Sequence, residues 1–449
     1  MNPKSLEAIL LIYHHPVSKN APTISEHVNS FRQYSQFSVI SLNTEYGFDR
    51  RLLGLRFPLI VLHYSLFGSA TYMLSEPWRQ YLAEATESYK VAFFQDEYYF
   101  CPQRFAFIDR YGIDAVFTLY DPKYWDQVYR RHTKARQLVH TLTGYMSDDA
   151  IQLAQKYAQP AASRRIDIGY RARKLPFYMG RGAQEKWEIG HEFSSRQKAL
   201  GLNLDISWRE QDRIYGERWY KFLGSCKATL GVESGVSITD LDGTIYQRYQ
   251  QLIAENPDIS FEEMSAELLT EYEEKISLRV ISPRCFEAAA MRTCQIMFEG
   301  DYNGIMQPMV HYIPLKKDYS NFDAALQAFQ NPRVREEIVD NAYQDLVASR
   351  RYSYQQFIKE FDQFVIDAGC EVRMLDESSA RILQTAQKNH VWRGRRRWVL
   401  YVAVAACVWA WRVMFFFSWL LPEGLREWLK KRRWIQRILG VPANERARS

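Results

Sequence analysis

The chain has 449 residues, 15 % of them aromatic and 24 % charged, which is too long for one ordinary core and too apolar for a disordered chain. Its net charge of +6 is unevenly spread: residues 391–449 carry 13 Lys/Arg against 3 Asp/Glu, and the remainder 45 against 49. That slightly acidic body excludes the basic face on which nucleic-acid modules depend, and six scattered cysteines without paired spacing exclude a disulfide frame or a zinc site.

Taken in order, Ala8 to Tyr13 reads as a buried parallel strand; it is too short, and too mixed in charge before it, for a signal peptide. Ser18 to Thr23 is a loop and Ile24 to Tyr34 carries helical spacing. Apolar runs at Ser38 to Leu42, Pro58 to Tyr64, Lys90 to Gln95 and Asp114 to Thr118 follow as strands, with a helix from Trp78 to Tyr89 among them. This alternation predicts a Rossmann-like α/β domain over residues 1–160. His14, His15, Asp96 and Glu97 all fall just after strands, where open α/β sheets bind their ligands. They are candidates for the acceptor side of a cleft.

A small-residue stretch from Gln159 to Ser163 suits a linker, and a second unit, residues 161–370, begins beyond it. Arg165 to Lys174 is a strand containing Gly169 and ending in a basic turn with Arg171 and Arg173, whose charges could neutralise a diphosphate or merely sit on a surface. Tyr215 to Leu223 reads as a helix and Cys226 to Val232 as a strand. Asp240 to Thr244 spells both a phosphatase nucleophile motif and an Asp-x-Asp metal motif. The stretch before it, Ser234 to Thr239, makes a poor strand, which speaks against the first, and a Gly/Asp turn is expected. After a Glu-rich helix from Phe261 to Lys275 comes the stretch that organises the chain, Val280 to Gly304. Ser282 caps a short helix that Pro283 opens, Glu287 sits on its early turns, Cys294 to Phe298 is a strand, and Glu299 to Gly304 is a loop tolerant of unusual backbone angles. In a doubly wound sheet Glu287 would accept hydrogen bonds from ribose hydroxyls while Arg284 and the helix amides face phosphate. A strand at His311 to Leu315 and helices capped by Asn331 and Ser353 complete the unit.

The run Phe286-Glu287-Ala288 to Gly304 resembles the sugar-nucleotide segment of group 1 glycosyltransferases of the GT-B fold. It is most similar to the branch related to spore-maturation glycosyltransferases, whose Arg-x-Phe-Glu-Ala pattern stands here as Arg284 to Ala288. The resemblance implies two Rossmann-like domains facing a cleft. A nucleotide-sugar would lie against Ser282, Arg284, Glu287, Gly169, Arg171, Arg173, Tyr302, Asn303 and Gly304, with no further cofactor and no metal at the Asp-x-Asp run. If the reaction inverts the anomeric centre, His14 or His15 is the base. It also implies that the two terminal helices pack back toward the first domain. One departure stands out: many members carry a second Glu eight residues before the first, and position 279 here is Arg.

Beyond a basic helical linker at 371–397, residues 398–421 hold a single charge, Arg412, and as a helix would extend about 36 Å, enough for a hydrocarbon core. Residues 422–449 form a basic amphipathic tail, so a single span and a hairpin lying in one leaflet both fit, with membrane contact over 398–439. The expectation is therefore a glycosyltransferase at the cytoplasmic face of a membrane, acting on a lipid-linked or envelope glycan. The alternative is a non-catalytic scaffold of the same shape, which Arg279 favours. A sugar-nucleotide epimerase is a third possibility, one with no use for a membrane tail.

Overall fold

The computed structural model describes residues 8–16, 22–68, 71–370 and 377–416, the last six by their backbone alone. Parts of the loop before Thr23 and of the linker, and everything from 417 on, including the end of the apolar run and the amphipathic tail, lie outside the described residues.

Two parallel sheets carry the fold. The first has six strands: β1 (Ala8–Tyr13), β2 (Ser38–Asn43), β3 (Leu59–Leu62), β4 (Tyr89–Phe93), β5 (Ala115–Thr118) and β6 (Gln137–His140), in the order β2-β1-β3-β4-β5-β6. Their apolar runs are covered on both faces: Ile9 to Ile12 and Leu59 to Leu62 have no exposure at all. The sixth strand was not expected. Gln137 to His140 is only partly covered, as an edge strand is, and so lacks the continuous apolar signal of its neighbours. The helix expected from Trp78 to Tyr89 runs instead from Glu76 to Glu84, because Tyr89 pairs with Leu59 and opens β4.

The second sheet contains β7 (Ile166–Arg171), β8 (Leu204–Ser207), β9 (Cys226–Gly231), β12 (Cys294–Phe298) and β13 (Ile313–Leu315), in the order β13-β12-β9-β7-β8. Between β9 and β12, β10 (Ser234–Val236) and β11 (Leu278–Val280) pair antiparallel. The helix Arg181–Ser195 covers one face of this sheet through Ile189 and Phe193, and Glu217–Ser225 covers the other through Phe222 and Leu223. Each sheet is thus doubly wound and Rossmann-like, and the pair is what a GT-B architecture requires.

Chain position and packing part company at the lobe boundary. The helix Asp148–Tyr157 inserts Ala150 and Ala154 among Trp219, Phe222 and Phe286 of the second lobe. The helix Tyr354–Asp367 returns to the first sheet, where Phe357, Ile358, Phe361 and Val365 join Ile9, Leu11 and Phe93. Of the two terminal helices expected to pack back, only this second one does. Pro332–Tyr343 stays on its own sheet, with Ile338 beside Ile313 and Phe329. The segment between β10 and β11 also bridges the lobes: Asp240 donates its amide to Tyr98 O at 2.8 Å, and Tyr120 Oη meets Thr239 Oγ1 at 2.6 Å. The Asp240 carboxylate is turned onto the amides of Gly243 and Tyr246, both at 2.9 Å, so the Asp-Leu-Asp-Gly run is a turn that starts a helix.

The last described element is one helix, Glu377–Phe416. Its first half is docked on the first lobe. Leu383 and Ala386 are buried, His390 Nε2 accepts from Asn43 N at 2.9 Å, Asn389 donates to Asp49 at 3.1 Å, and Arg397 pairs with Glu45 at 2.6 Å. Two of the basic residues of the expected helical linker, Arg393 and Arg397, hold the helix in place, Arg393 through Phe48 O at 3.1 Å. From Trp398 to Trp409 the apolar side chains are exposed, Val408 only in part. Among the described residues no helix is long and apolar enough to cross a membrane.

Where Tyr354–Asp367 meets the first sheet, His27 is fully buried among Phe31, His63, Tyr64, Phe93, Tyr354 and Phe357, at ring-centroid distances of 4.9 to 5.8 Å. Burial pushes its pKa down to about 3. The folded chain holds this ring neutral, while the unfolded chain takes up a proton below its ordinary value near 6.5. The stability involved is complete above that value and drains away as pH falls toward 3, at about 1.4 kcal/mol per pH unit. His27→Gln should therefore flatten the decline of the urea midpoint between pH 6.5 and 4, whatever it costs at neutral pH. An unchanged slope would remove His27 from the account.

Candidate functional site

Where neighbouring strand connections leave for opposite faces, a doubly wound sheet opens a crevice at its carboxyl edge. In the second sheet that point lies between β7 and β9, and there the protein has a cavity of about 430 Å³, bordered by Arg171 at the end of β7 and Leu230 and Gly231 at the end of β9. The first lobe closes it with Pro22, Thr23 and Glu26.

Glu287 borders this cavity from the helix Pro283–Ala290, which Ser282 caps by accepting from Arg284 N at 3.4 Å. The carboxylate is half-buried and aimed by Trp219 Nε1, at 2.6 Å from Oε2. Burial raises its pKa, with the Trp219 hydrogen bond and the Arg284 charge working against that rise. It is a carboxylate on the cavity wall with one oxygen committed to the indole.

The cations around it differ in what they already hold. Arg171 borders the cavity, but its guanidinium pairs with Asp205 at 2.7 Å and donates to Asp205 O and Asp212 O. It fastens β7 to β8 and the following loop, and has little left for a ligand. Arg284 lies over the Trp219 ring, 5.0 Å from its centroid, and donates to Arg171 O at 2.5 Å. Arg173 stands exposed at the rim. Lys186, on the helix Arg181–Ser195, reaches the cavity and donates Nζ to Gly235 O at 3.1 Å. Its pKa falls to about 8, chiefly through desolvation; Asp96 opposes that fall, and the neighbouring Arg173, Arg284 and Arg279 reinforce it. Carboxylate and cations thus share one cavity: a polar grip for hydroxyls at one place and a positive field for an anion at another.

Several sequence-based candidates serve the framework instead. Gly169 lies within β7, where an added Cβ would sit 2.3 Å from Cys226 Sγ, so its smallness lets a helix pack rather than a ligand approach. Tyr302 is wholly buried and donates its hydroxyl to Phe298 O at 2.5 Å. Asn303, at φ +56°, accepts from Ile281 N at 2.7 Å, and neither it nor Gly304 borders the cavity. The loop turns inward because Glu233 takes the amides of Asp301 and Tyr302 at 3.2 and 3.0 Å. Glu97 is likewise buried, accepting from Thr118 and Leu119 at 2.7 Å and from Tyr129. Asp96 is exposed and within the electrostatic reach of Lys186 and Arg173, which lower a pKa that desolvation raises. His14 and His15 stay at the edge of the first sheet, outside the cavity lining. The Nδ1 of His14 meets Thr44 Oγ1 at 2.9 Å, and the amide of His15 donates to Asn43 at 3.0 Å. Arg279, the residue at the place of the leading Glu, is turned away into a buried pair with Glu185 at 2.7 Å.

Lys186, Trp219 and Glu26 were not legible as site residues. Each sits in a helix whose pattern is complete without it; packing on the second sheet brings Lys186 and Trp219 to the cavity, and the first lobe brings Glu26 to it.

No protein-family model matches the chain, and no curated protein matches it in sequence. Among solved structures it is similar to sucrose-phosphate synthase from Thermosynechococcus elongatus (TM-score 0.44, 12 % identity, 80 % of this chain and 98 % of that one). It is also similar to Anabaena HepE in complex with UDP and glucose (TM-score 0.42, 10 % identity, 80 % and 99 %) and to a glycosyltransferase from Rickettsia africae (TM-score 0.40, 9 % identity, 80 % and 97 %). At these scores the likeness says nothing about chemistry, which rests on the side chains above.

An anion in the cavity would hold the proton on Lys186, so the bound state keeps more protons than the free state as pH passes about 8. Affinity for inorganic pyrophosphate, measured by calorimetry, should therefore fall as pH rises through 8. Lys186→Met should bind about ten-fold more weakly, for want of one charge-assisted contact, and lose that dependence. Wild-type affinity in the variant would exclude Lys186 from anion binding.

Proposed function

We propose that the chain is a glycosyltransferase that takes a sugar from a nucleotide donor. What carries this reading is the joint presence of Glu287 and the cations Lys186, Arg173 and Arg284 around one crevice at the switch point of the second sheet. A nucleoside diphosphate presents the complementary pair of groups, a vicinal diol for the carboxylate and a diphosphate for the cations. In transfer, the sugar leaves the diphosphate as negative charge builds on the departing phosphate oxygen. Lys186 and Arg284, fixed beforehand by Gly235 O, Arg171 O and the Trp219 ring, would stabilise that charge without reorganising. The first-lobe wall at Pro22, Thr23 and Glu26 limits water at the site.

The acceptor is a lipid-linked or envelope glycan reached from the cytoplasmic face of a membrane. Support comes from the last helix: docked up to Arg397, it then exposes Trp398, Val404 and Trp409 at 58, 61 and 68 %, directly after four arginines. Apolar residues beside a basic cluster suit an anionic lipid surface.

A thermal-shift panel of UDP, GDP, ADP and CDP tests the donor site, and at least one should raise the melting temperature of wild type and not of Glu287→Gln. Transfer of radiolabelled sugar into membrane extracts then separates enzyme from scaffold: nucleotide binding with no transfer from any common donor would leave the scaffold alternative, with Arg279 as its sequence mark.

For the membrane, the full chain should co-sediment with anionic phospholipid vesicles and release them on Trp398→Ser/Trp409→Ser. Equal sedimentation of the variant would overturn the role of this helix.

A further inference from the structure

Glu26 has no part in the family pattern and none in the framework, yet it borders the same cavity as Glu287 from the opposite lobe. The two carboxylates also border a second void of about 10 Å³, room for about one water, between Tyr145, Tyr220 and Phe286. They therefore border the same two voids from opposite lobes. Glu26 lies on the second turn of Pro22–Tyr34, half-buried, with the Ser147 hydroxyl as its hydrogen-bond partner.

The charged and titratable groups around it are mostly of one sign. Glu287 faces it from Pro283–Ala290 and Asp149 from Asp148–Tyr157, with the hydroxyls of Tyr64, Tyr220 and Tyr354 within its field. Arg284 acts on Glu287, lowering its pKa, and is not among the causes at Glu26. Among the described residues no cation is a cause of the shift at Glu26, whose pKa rises to about 7, through desolvation first, then Glu287 and Asp149. Two carboxylates that border one void and repel each other are costly unless something donates to both. A vicinal diol does so, offering one hydroxyl to each side.

The geometry points to Glu26 as a second binding carboxylate, which takes one hydroxyl of the ligand's diol from the first lobe while Glu287 takes the other from the second. This rests on the reading that the ligand is a nucleoside diphosphate. It supplies from across the cleft the partner carboxylate that the sequence lacks at Arg279, and it makes nucleotide binding a contact between lobes. A hydroxyl donated to Glu26 favours its ionised form, so the bound complex holds fewer protons than the free protein, and affinity rises with pH through about 7.

The test compares wild type, Glu26→Gln, Glu26→Asp and Glu287→Gln by calorimetry, using the diphosphate that gives the largest thermal shift together with its 2′-deoxy and 3′-deoxy forms. Expected are about ten-fold weaker binding by Glu26→Gln and partial recovery in Glu26→Asp. The ratio of wild-type to Glu26→Gln affinity should grow between pH 6 and 8, a ratio from which the ligand's own ionisation cancels. Removing one of the two ribose hydroxyls should cost Glu26→Gln much less than it costs wild type. If Glu26→Gln keeps wild-type affinity and pH dependence while Glu287→Gln has lost binding, the inference is wrong and the nucleotide site stands. If wild type binds none of the four nucleotides, both fall.

Discussion

The hydrogen bond from Trp219 to Glu287 is the contact on which the site depends. A carboxylate on the first turns of a short helix is ordinarily solvated, and its position is then worth little. Here a rigid indole, itself packed on Phe222 at 5.7 Å, fixes one oxygen in a crevice where burial makes every remaining polar contact stronger. Trp219 belongs to the helix leading into β9 and Glu287 to the helix leading into β12, so the bond also ties two crossovers of the second sheet together. The same indole carries Arg284 over its face, which aligns a cation and a carboxylate on one aromatic support.

Around that contact the structure divides its polar groups into those already satisfied and those left for a ligand. Arg171, Arg279, Glu97 and Glu233 are each tied to defined partners and hold strands and loops in register. Lys186 and Glu26 are different: among the described residues each has one hydrogen-bond partner, each is desolvated, and each is pushed toward its neutral form. Groups in that condition are unfavourable in an empty protein and favourable with a complementary ligand, which is the electrostatic mark of a binding site.

The lobes are placed by chain crossings rather than by a single linker. Asp148–Tyr157 packs into the second lobe, Tyr354–Asp367 packs onto the first, and the segment between β10 and β11 joins both through Tyr98 and Tyr120. These contacts set the width of the cleft and bring Glu26 opposite Glu287. The terminal helix adds a further constraint: its docked half grips Asn43, Glu45, Phe48 and Asp49 at the carboxyl end of β2, so its exposed apolar half has a fixed direction relative to the cleft.

Much was determined by local sequence. The buried strands announced themselves as unbroken apolar runs, the Ser282, Asn331 and Ser353 caps as polar residues at helix starts, and the Asp240 turn as a glycine-bearing loop after a poorly apolar stretch. These features obey short-range rules, in which a residue's neighbours along the chain fix its backbone. The edge strand β6, the inward turn of the loop at Tyr302 and Asn303, and the commitment of Arg171 to Asp205 were decided only by tertiary structure. Each depends on a partner distant in sequence, and a basic turn or glycine loop looks the same whether it faces a ligand or a neighbouring strand. Lys186, Trp219 and Glu26 lie on three helices, and no spacing along the chain records that the fold turns all three toward one crevice.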